Sequence, residues 1–350
     1  MVFERTTNCM NIARDPLASH SSDARVDSCS VARPRVVGTP HFDPRCAIPA
    51  QEDCDSTSSG HVMRAADGHS LRLVAFGVTV EVRVSHQDLV QDVCNCLPPG
   101  WQSAPHLPAG LEVAIVRDGL PGTIARTEVF VDSERVLETQ SWSEALHCLE
   151  SHIQLHVAEM TREWVFVHAG VVGWRGQAIL LPGRSFAGKS SLVAALLKAG
   201  AEYLSDEYAV CDSNGLVYPY ARRLSLRQDD GAKLRRPRPE DFGSRTSAGP
   251  LPIGLVAMTK YVAGARWRPT HAPRGWAALA LLDNMVPIRR QPGRCLHVAH
   301  LILAGAPCLR GKRGEAEDAA RALLAAVPVH AAQRRPASAG MLVPKRPVSD

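Results

Sequence analysis

The sequence predicts an α/β domain over residues 164–330, preceded by a small α+β module over residues 63–163. Three observations carry that prediction. Two apolar runs, residues 165–173 and 177–181, flank a Trp174-Arg175-Gly176 turn. A glycine-bearing run, G-R-S-F-A-G-K-S at 183–190, joins the second of them to an apolar helical stretch. Ahead of both lie short alternating segments and one long amphipathic segment.

Composition bounds the classes open to the chain. Of its 350 residues 45% are hydrophobic, enough for a sizeable core, and with only 5% aromatic that core is mostly aliphatic. The balance of 40 Lys+Arg against 35 Asp+Glu gives +5, too diffuse to argue for a nucleic-acid partner and well suited to small anionic ligands. No run reaches the ~18 apolar residues of a membrane helix. The best stretch, 165–181, is broken by His168, Arg175 and Gln177. The N-terminus, MVFERTTNCMNIARD, lacks the apolar segment of a secretory signal, so a cytoplasmic location with no membrane partner is expected. Among the ten cysteines, Cys94 and Cys96 form C-x-C rather than a zinc-type pair, and Cys9, Cys29, Cys46 and Cys54 lie in a polar leader. Free thiols in a reducing compartment follow.

Taken in order, residues 1–62 read as a disordered leader, rich in Ser, Asp, Arg and Pro. Periodicity begins abruptly after Met63, which marks that residue as an alternative translation start. Residues 71–84 are strand-like, alternating after Gly77 with Val78, Val80, Val82 and Val84 on one face. Pro98-Pro99-Gly100 is a turn, and residues 111–117 and 128–131 are further strands about a turn at 119–122. Residues 141–161 form an amphipathic helix whose apolar side holds Ala145, Leu149, His152, Leu155 or His156, and Met160. The hairpin at 165–181 comes next, then a helix over 189–199 with Leu192, Leu196 and Ala199 on one face and Gly200 as C-cap. A strand at 202–211 precedes a long Pro/Arg/Gly-rich loop, 228–252. Regular structure resumes at 255–261, 275–284 and 316–327, and residues 331–350 form a disordered tail.

The run at 183–190 satisfies G-x-x-x-x-G-K-[ST], between a strand and a helix as a phosphate-binding loop requires. The backbone N–H groups of Gly183, Arg184, Ser185, Phe186, Ala187, Gly188, Lys189, Ser190 and Ser191 would cradle nucleotide phosphates where the helix dipole is positive. Lys189 would neutralise β- and γ-oxygens, and the Ser190 hydroxyl would hold Mg²⁺. ATP and Mg²⁺ are therefore the expected cofactors.

Beside the cradle, Asp206 and Glu207 lie on the strand after the helix. Consecutive strands of such a unit tend to be near one another, with their C-terminal ends on one crevice. Asp206 can then accept the proton of an attacking hydroxyl or ligate Mg²⁺; the competing reading is a solvated acidic pair. If the hairpin pairs with residue numbers summing to about 350, His168 stands opposite Pro182 at the mouth of the loop. It is there to balance charge, or it is a satisfied core histidine. Arg222, Arg223 and Arg227 are phosphate clamps or surface charges, with Arg223 and Arg227 favoured because they flank the strand-like 224–226.

These residues resemble the HPr kinase/phosphorylase family, related in fold to phosphoenolpyruvate carboxykinase. The similarity covers about residues 168–210: the histidine fifteen residues before the cradle (H-A-G-V-V), the cradle, and the acidic pair seventeen and eighteen residues after Lys189 (L-S-D-E). The resemblance implies a P-loop kinase core of that type, with Asp206 as catalytic base, His168 and Lys189 in the active site, and Ser190 and Glu207 serving Mg²⁺. The family's tendency to form hexamers implies a homo-oligomer. Phe186 stands where the family has glycine and Glu207 where it has a second aspartate. An E-I-R-G-like signature and a C-terminal docking helix are not legible, which argues against HPr itself as substrate. The segments PYARRLSLR and PLPIGLVAMTKY are similar to a branch associated with peptide biosynthesis, some members of which phosphorylate a serine of a lasso peptide.

Three functions follow for test: a serine kinase acting on a peptide or small protein, a small-molecule kinase, and an ATP-binding regulator without turnover, which Phe186 favours.

Overall fold

A computed structural model describes residues 68–118, 125–183, 188–227 and 234–328. The leader, the Met63 start, the 119–122 turn, Arg184, Ser185, Phe186, Ala187 and the tail lie outside the described residues. The described chain is a mixed α/β structure with two mixed sheets, and no described helix is long and apolar enough to cross a membrane.

The first sheet begins with a hairpin, β1 (His69–Ala75) and β2 (Val78–Val84). The strand-like pattern over residues 71–84 is thus two strands. They reverse at Phe76 and Gly77, both at positive φ (52° and 77°), as a two-residue hairpin turn demands. The four valines of β2 are buried together as expected. A short helix α1 (Val90–Cys94) leads to β3 (Gln102–Ser103), β4 (Glu112–Asp118), β5 (Arg126–Val131) and β6 (Glu134–Thr139), in spatial order β3-β1-β2-β4-β5-β6. Strand β6, mostly exposed and charged, has no apolar alternation and escaped the sequence reading. Helix α2 (Trp142–Met160) crosses this sheet, N-capped by Ser141, whose Oγ accepts from Glu144 N at 3.3 Å. Its buried side is Ala145, Leu149, Glu150, Ile153, Gln154, Val157 and Ala158. The expected face is therefore rotated: Leu155 and Met160 are exposed, and two polar side chains are buried.

The second sheet starts with β7 (Val165–Trp174) and β8 (Gln177–Pro182), turning at Arg175-Gly176. Helix α3 (Lys189–Lys198) follows, then β9 (Glu202–Ser205), β10 (Tyr208–Cys211) and β11 (Leu216–Tyr218). The single strand expected at 202–211 is broken at Asp206-Glu207, and its two halves pair antiparallel with different stretches of β7. A ribbon, β12 (Leu226–Arg227) with β13 (Leu234–Arg235), and a 3-10 turn give structure to part of the expected 228–252 loop. Next come β14 (Leu251–Tyr261), β15 (Thr270–His271), α4 (Arg274–Leu282), α5 (Pro292–Gly305), β16 (Cys308–Arg313) and α6 (Ala316–Ala326). The order is β11-β10-β7-β8-β14-β16-β15, with β9 beside β7 and β11 also pairing with β14.

Alternate side chains feed two cores, as pleating requires. On β8, Ile179 and Leu181 face α3 and α6, while Ala178 and Leu180 face α4 and α5. Every residue of α3 from Leu192 to Leu197 is buried, whereas Ala199, expected on its apolar face, is exposed. A third core joins the first sheet and α2 to Phe166, Tyr208 and Val210 of the second sheet and to Tyr220 just after β11.

Candidate active site

Three strands bring the candidate residues together. β8 and β9 both run antiparallel to β7, on either side of it, and so run parallel to each other. The unit that follows the cradle is one strand further away than sequence adjacency suggested. Even so, the C-terminal ends of β8 and β9 open on the same edge, which is where an α/β sheet binds ligands. Ala169 pairs with Pro182, so numbers across the hairpin sum to 351 and His168 lies one step past Pro182. Gly183 N donates to His168 O at 3.2 Å.

Gly188 caps α3 at φ 77°, a left-handed conformation that suits glycine, and its carbonyl accepts from Leu192 N. Lys189 and Ser190 open the helix, and Ser191 faces solvent. Burial lowers the Lys189 ammonium from the usual lysine range, against the opposing pull of the Glu207 and Asp206 charges.

Asp206 sits at the break between β9 and β10 and is 3% exposed. Its Oδ1 accepts from the Tyr203 hydroxyl at 3.0 Å and its Oδ2 from Ser225 N at 2.9 Å. Burial raises its carboxyl above the ordinary range, with Glu207 adding to the rise and Ser225 N, Arg222 and Ser190 opposing it. Glu207, one-third exposed at 33%, places Oε1 3.0 Å from Nε2 of His168, itself 15% exposed. Burial alone would raise Glu207; the His168 hydrogen bond and the charges of His168, Lys189 and Arg222 bring it below the usual carboxylate value. His168, Lys189, Ser190, Asp206 and Glu207 are thus brought together at one edge of the sheet.

The arginines divide differently from the sequence reading. Arg222, ranked below its neighbours there, ion-pairs with Glu150 of α2 and donates to Gln154 Oε1 at 2.6 Å. Arg236 reaches the second oxygen of Glu150 at 2.8 Å. This inter-sheet network fixes the segment that carries Ser225, and hence the backbone donor to Asp206. Arg223 is exposed, and the Arg227 side chain lies outside the described residues.

Arg313, at the end of β16, was missed. It is 2% exposed, and its Nη2 donates to Gly188 O at 2.8 Å. Its guanidinium lies 5.3 Å from the centroid of the Tyr261 ring. Burial lowers it below the usual arginine value, and among the described residues it makes no ion pair. A single arginine in a polar strand gave no local signal; only the fold carries it to the cradle.

A hydroxyl and two carboxylates at one sheet edge supply oxygen donors that suit Mg²⁺, which usually takes one or two protein carboxylates plus phosphate and water. Among the described residues no cluster of three or more His, Cys, Asp and Glu has the form of an all-protein metal site. No protein-family model matches the chain, and no curated protein matches it.

Proposed function

We propose that the chain is an ATP- and Mg²⁺-dependent kinase, with a P-loop core of the HPr kinase type, that phosphorylates a serine hydroxyl of a peptide or small protein. The observation that carries this reading is the meeting of the 183–190 run with the acidic break: Gly183 N donates to His168 O at 3.2 Å, and His168 Nε2 lies 3.0 Å from Glu207 Oε1, next to the buried Asp206. A cytoplasmic site of action and a homo-oligomeric assembly accompany the reading.

In this mechanism Lys189 holds the terminal phosphates, and residues 183–191 cradle them. Ser190 and Glu207 are the side chains that would hold Mg²⁺, which when bound supplies positive charge against the triphosphate. Asp206 accepts the proton as the serine oxygen bonds to the γ-phosphorus and the bond to the β–γ bridging oxygen breaks, releasing ADP. Its raised pKa suits a base, because a proton acceptor works best with a pKa near the working pH. Tyr203 and Ser225 N fix the orientation of the carboxylate. His168 holds Glu207 and balances its charge.

Binding of a fluorescent ATP analogue, together with transfer from labelled ATP into a cell extract resolved into peptides and metabolites, tests the reading. Lys189→Ala is expected to abolish binding. Asp206→Asn is expected to retain binding and lose about 10²–10⁴-fold in transfer. Transfer should rise with pH through a value above the ordinary carboxylate range, because Asp206 acts as base only when ionised. Parent-level transfer by Asp206→Asn removes the assigned role. Label confined to metabolites makes the enzyme a small-molecule kinase, and tight binding with no phosphate lost favours the regulator reading to which Phe186 points.

A further inference from the structure

On the other side of the cradle, the C-terminal ends of β14 and β16 and the adjoining β15 form a cavity of about 430 Å³ whose wall includes Pro182, the last residue of β8. Lys260, Arg268, Arg310 and Lys312 line it, and no acidic residue does. All four are exposed, and among the described residues none makes an ion pair. Lys260 and Lys312 are direct cross-strand partners in the parallel β14–β16 ladder. Like charges directly opposite one another destabilise a sheet. Arg310 lies over the Trp276 ring of α4, 4.8 Å from its centroid. Trp276 is 40% exposed, and Leu279, one turn further along α4, is 70% exposed.

We propose that this cavity docks an acidic segment of the peptide acceptor, its carboxylates meeting the four cations and an apolar side chain resting on Trp276 and Leu279. The proposal rests on the peptide-kinase reading, in which a neighbouring serine then reaches Asp206. Charge complementarity argues for the occupant: four cations without a carboxylate among them are relieved only by an anionic partner. The apolar shelf of Trp276 and Leu279 favours a polypeptide over a nucleic-acid backbone, which is usually tracked by an extended groove.

The test uses the full chain and a fluorescein-labelled peptide of repeating Glu-Glu-Leu units, followed by anisotropy. Its controls are the same peptide with Gln for Glu, and an oligouridylate of equal charge. The acidic peptide should bind with an affinity that falls as salt rises, and the Gln peptide about tenfold more weakly or worse. The double variant Lys260→Glu/Lys312→Glu should weaken the acidic peptide by about tenfold or more while the ATP analogue binds as to the parent. Should that variant fail to fold, Arg310→Ala and the salt titration of the parent carry the same test. Equal binding of the acidic and Gln peptides overturns the proposal. Tighter binding of oligouridylate overturns it in favour of RNA, and loss of ATP binding by the double variant assigns the cavity to the nucleotide instead. Lys189→Ala separates the two readings: it should lose ATP and keep the acidic peptide. An absence of phosphate transfer in the parent, with peptide docking intact, sinks the kinase reading alone.

Discussion

On the β7 side of the 183–190 run the carboxylates are largely buried and already partnered: Asp206 with Tyr203 and Ser225 N, and Glu207 with His168. On the β14 side they are basic, and four of them are exposed without a described counter-charge, namely Lys260, Arg268, Arg310 and Lys312. The first flank has its hydrogen bonds supplied from within the chain, so its geometry is fixed before any ligand arrives. The second has charge left over among the described residues. A group meant to react needs preorganisation. A surface meant to attract needs unspent charge.

Three perturbations probe that contrast. The largest effect is expected where the acidic flank is anchored. Arg222→Met leaves Glu150 buried with one partner fewer, and should lower stability by about 3–5 kcal/mol, read as an earlier urea midpoint. Burial alone would raise Glu150, but the His147 hydrogen bond and the charges of Arg222 and Arg236 hold it down at about 2. A depressed carboxylate contributes stability above its unfolded value of 4.5 and loses that contribution as pH falls towards about 2. The variant should therefore lose less stability than the parent over that acidic window. A smaller cost, about 1–3 kcal/mol, is expected for Gly188→Ala, because a Cβ there is strained at φ 77° and meets the Arg313 guanidinium. Thermal melting measures it, and an unchanged midpoint would mean that Arg313 does not clasp the cradle. The smallest effect belongs to the basic flank. Lys312→Thr removes half of a like-charged pair and should leave the melting temperature level or slightly raised. A clear drop would show that the cations there are structural, and the contrast between the flanks would fail.

The parts legible in the sequence are those set by local chemistry. The β7–β8 hairpin announced itself by two apolar runs about Arg175-Gly176, and α2 by apolar residues recurring at helical spacing over 141–161. The helix α3 followed from Gly188, Lys189 and Gly200. What stayed hidden depends on distant partners. The buried side of α2 could not be read because Glu150 and Gln154 belong to it only through Arg222 and Arg236. The break at Asp206-Glu207 arises because β9 and β10 pair with separate parts of β7. Strand β16, CLRGKR, is polar because one of its faces lines a cavity. Helix α5 was a different kind of miss. Pro292 opens it, and Cys295, Val298, Ala299 and Ile302 recur at helical spacing, so its signal was present.

The shared aromatic cluster has a practical consequence. Phe166, Tyr208 and Tyr220 pack edge to face, with Phe76 of the first sheet's hairpin turn against them and Leu149 of α2 in the same core. A fragment cut at residue 164 would carry those rings into water and strip Glu150 from Arg222 in one stroke. The half from residue 165 onward is therefore not a portable cassette, and the chain has to be expressed with both sheets if either is to be assayed.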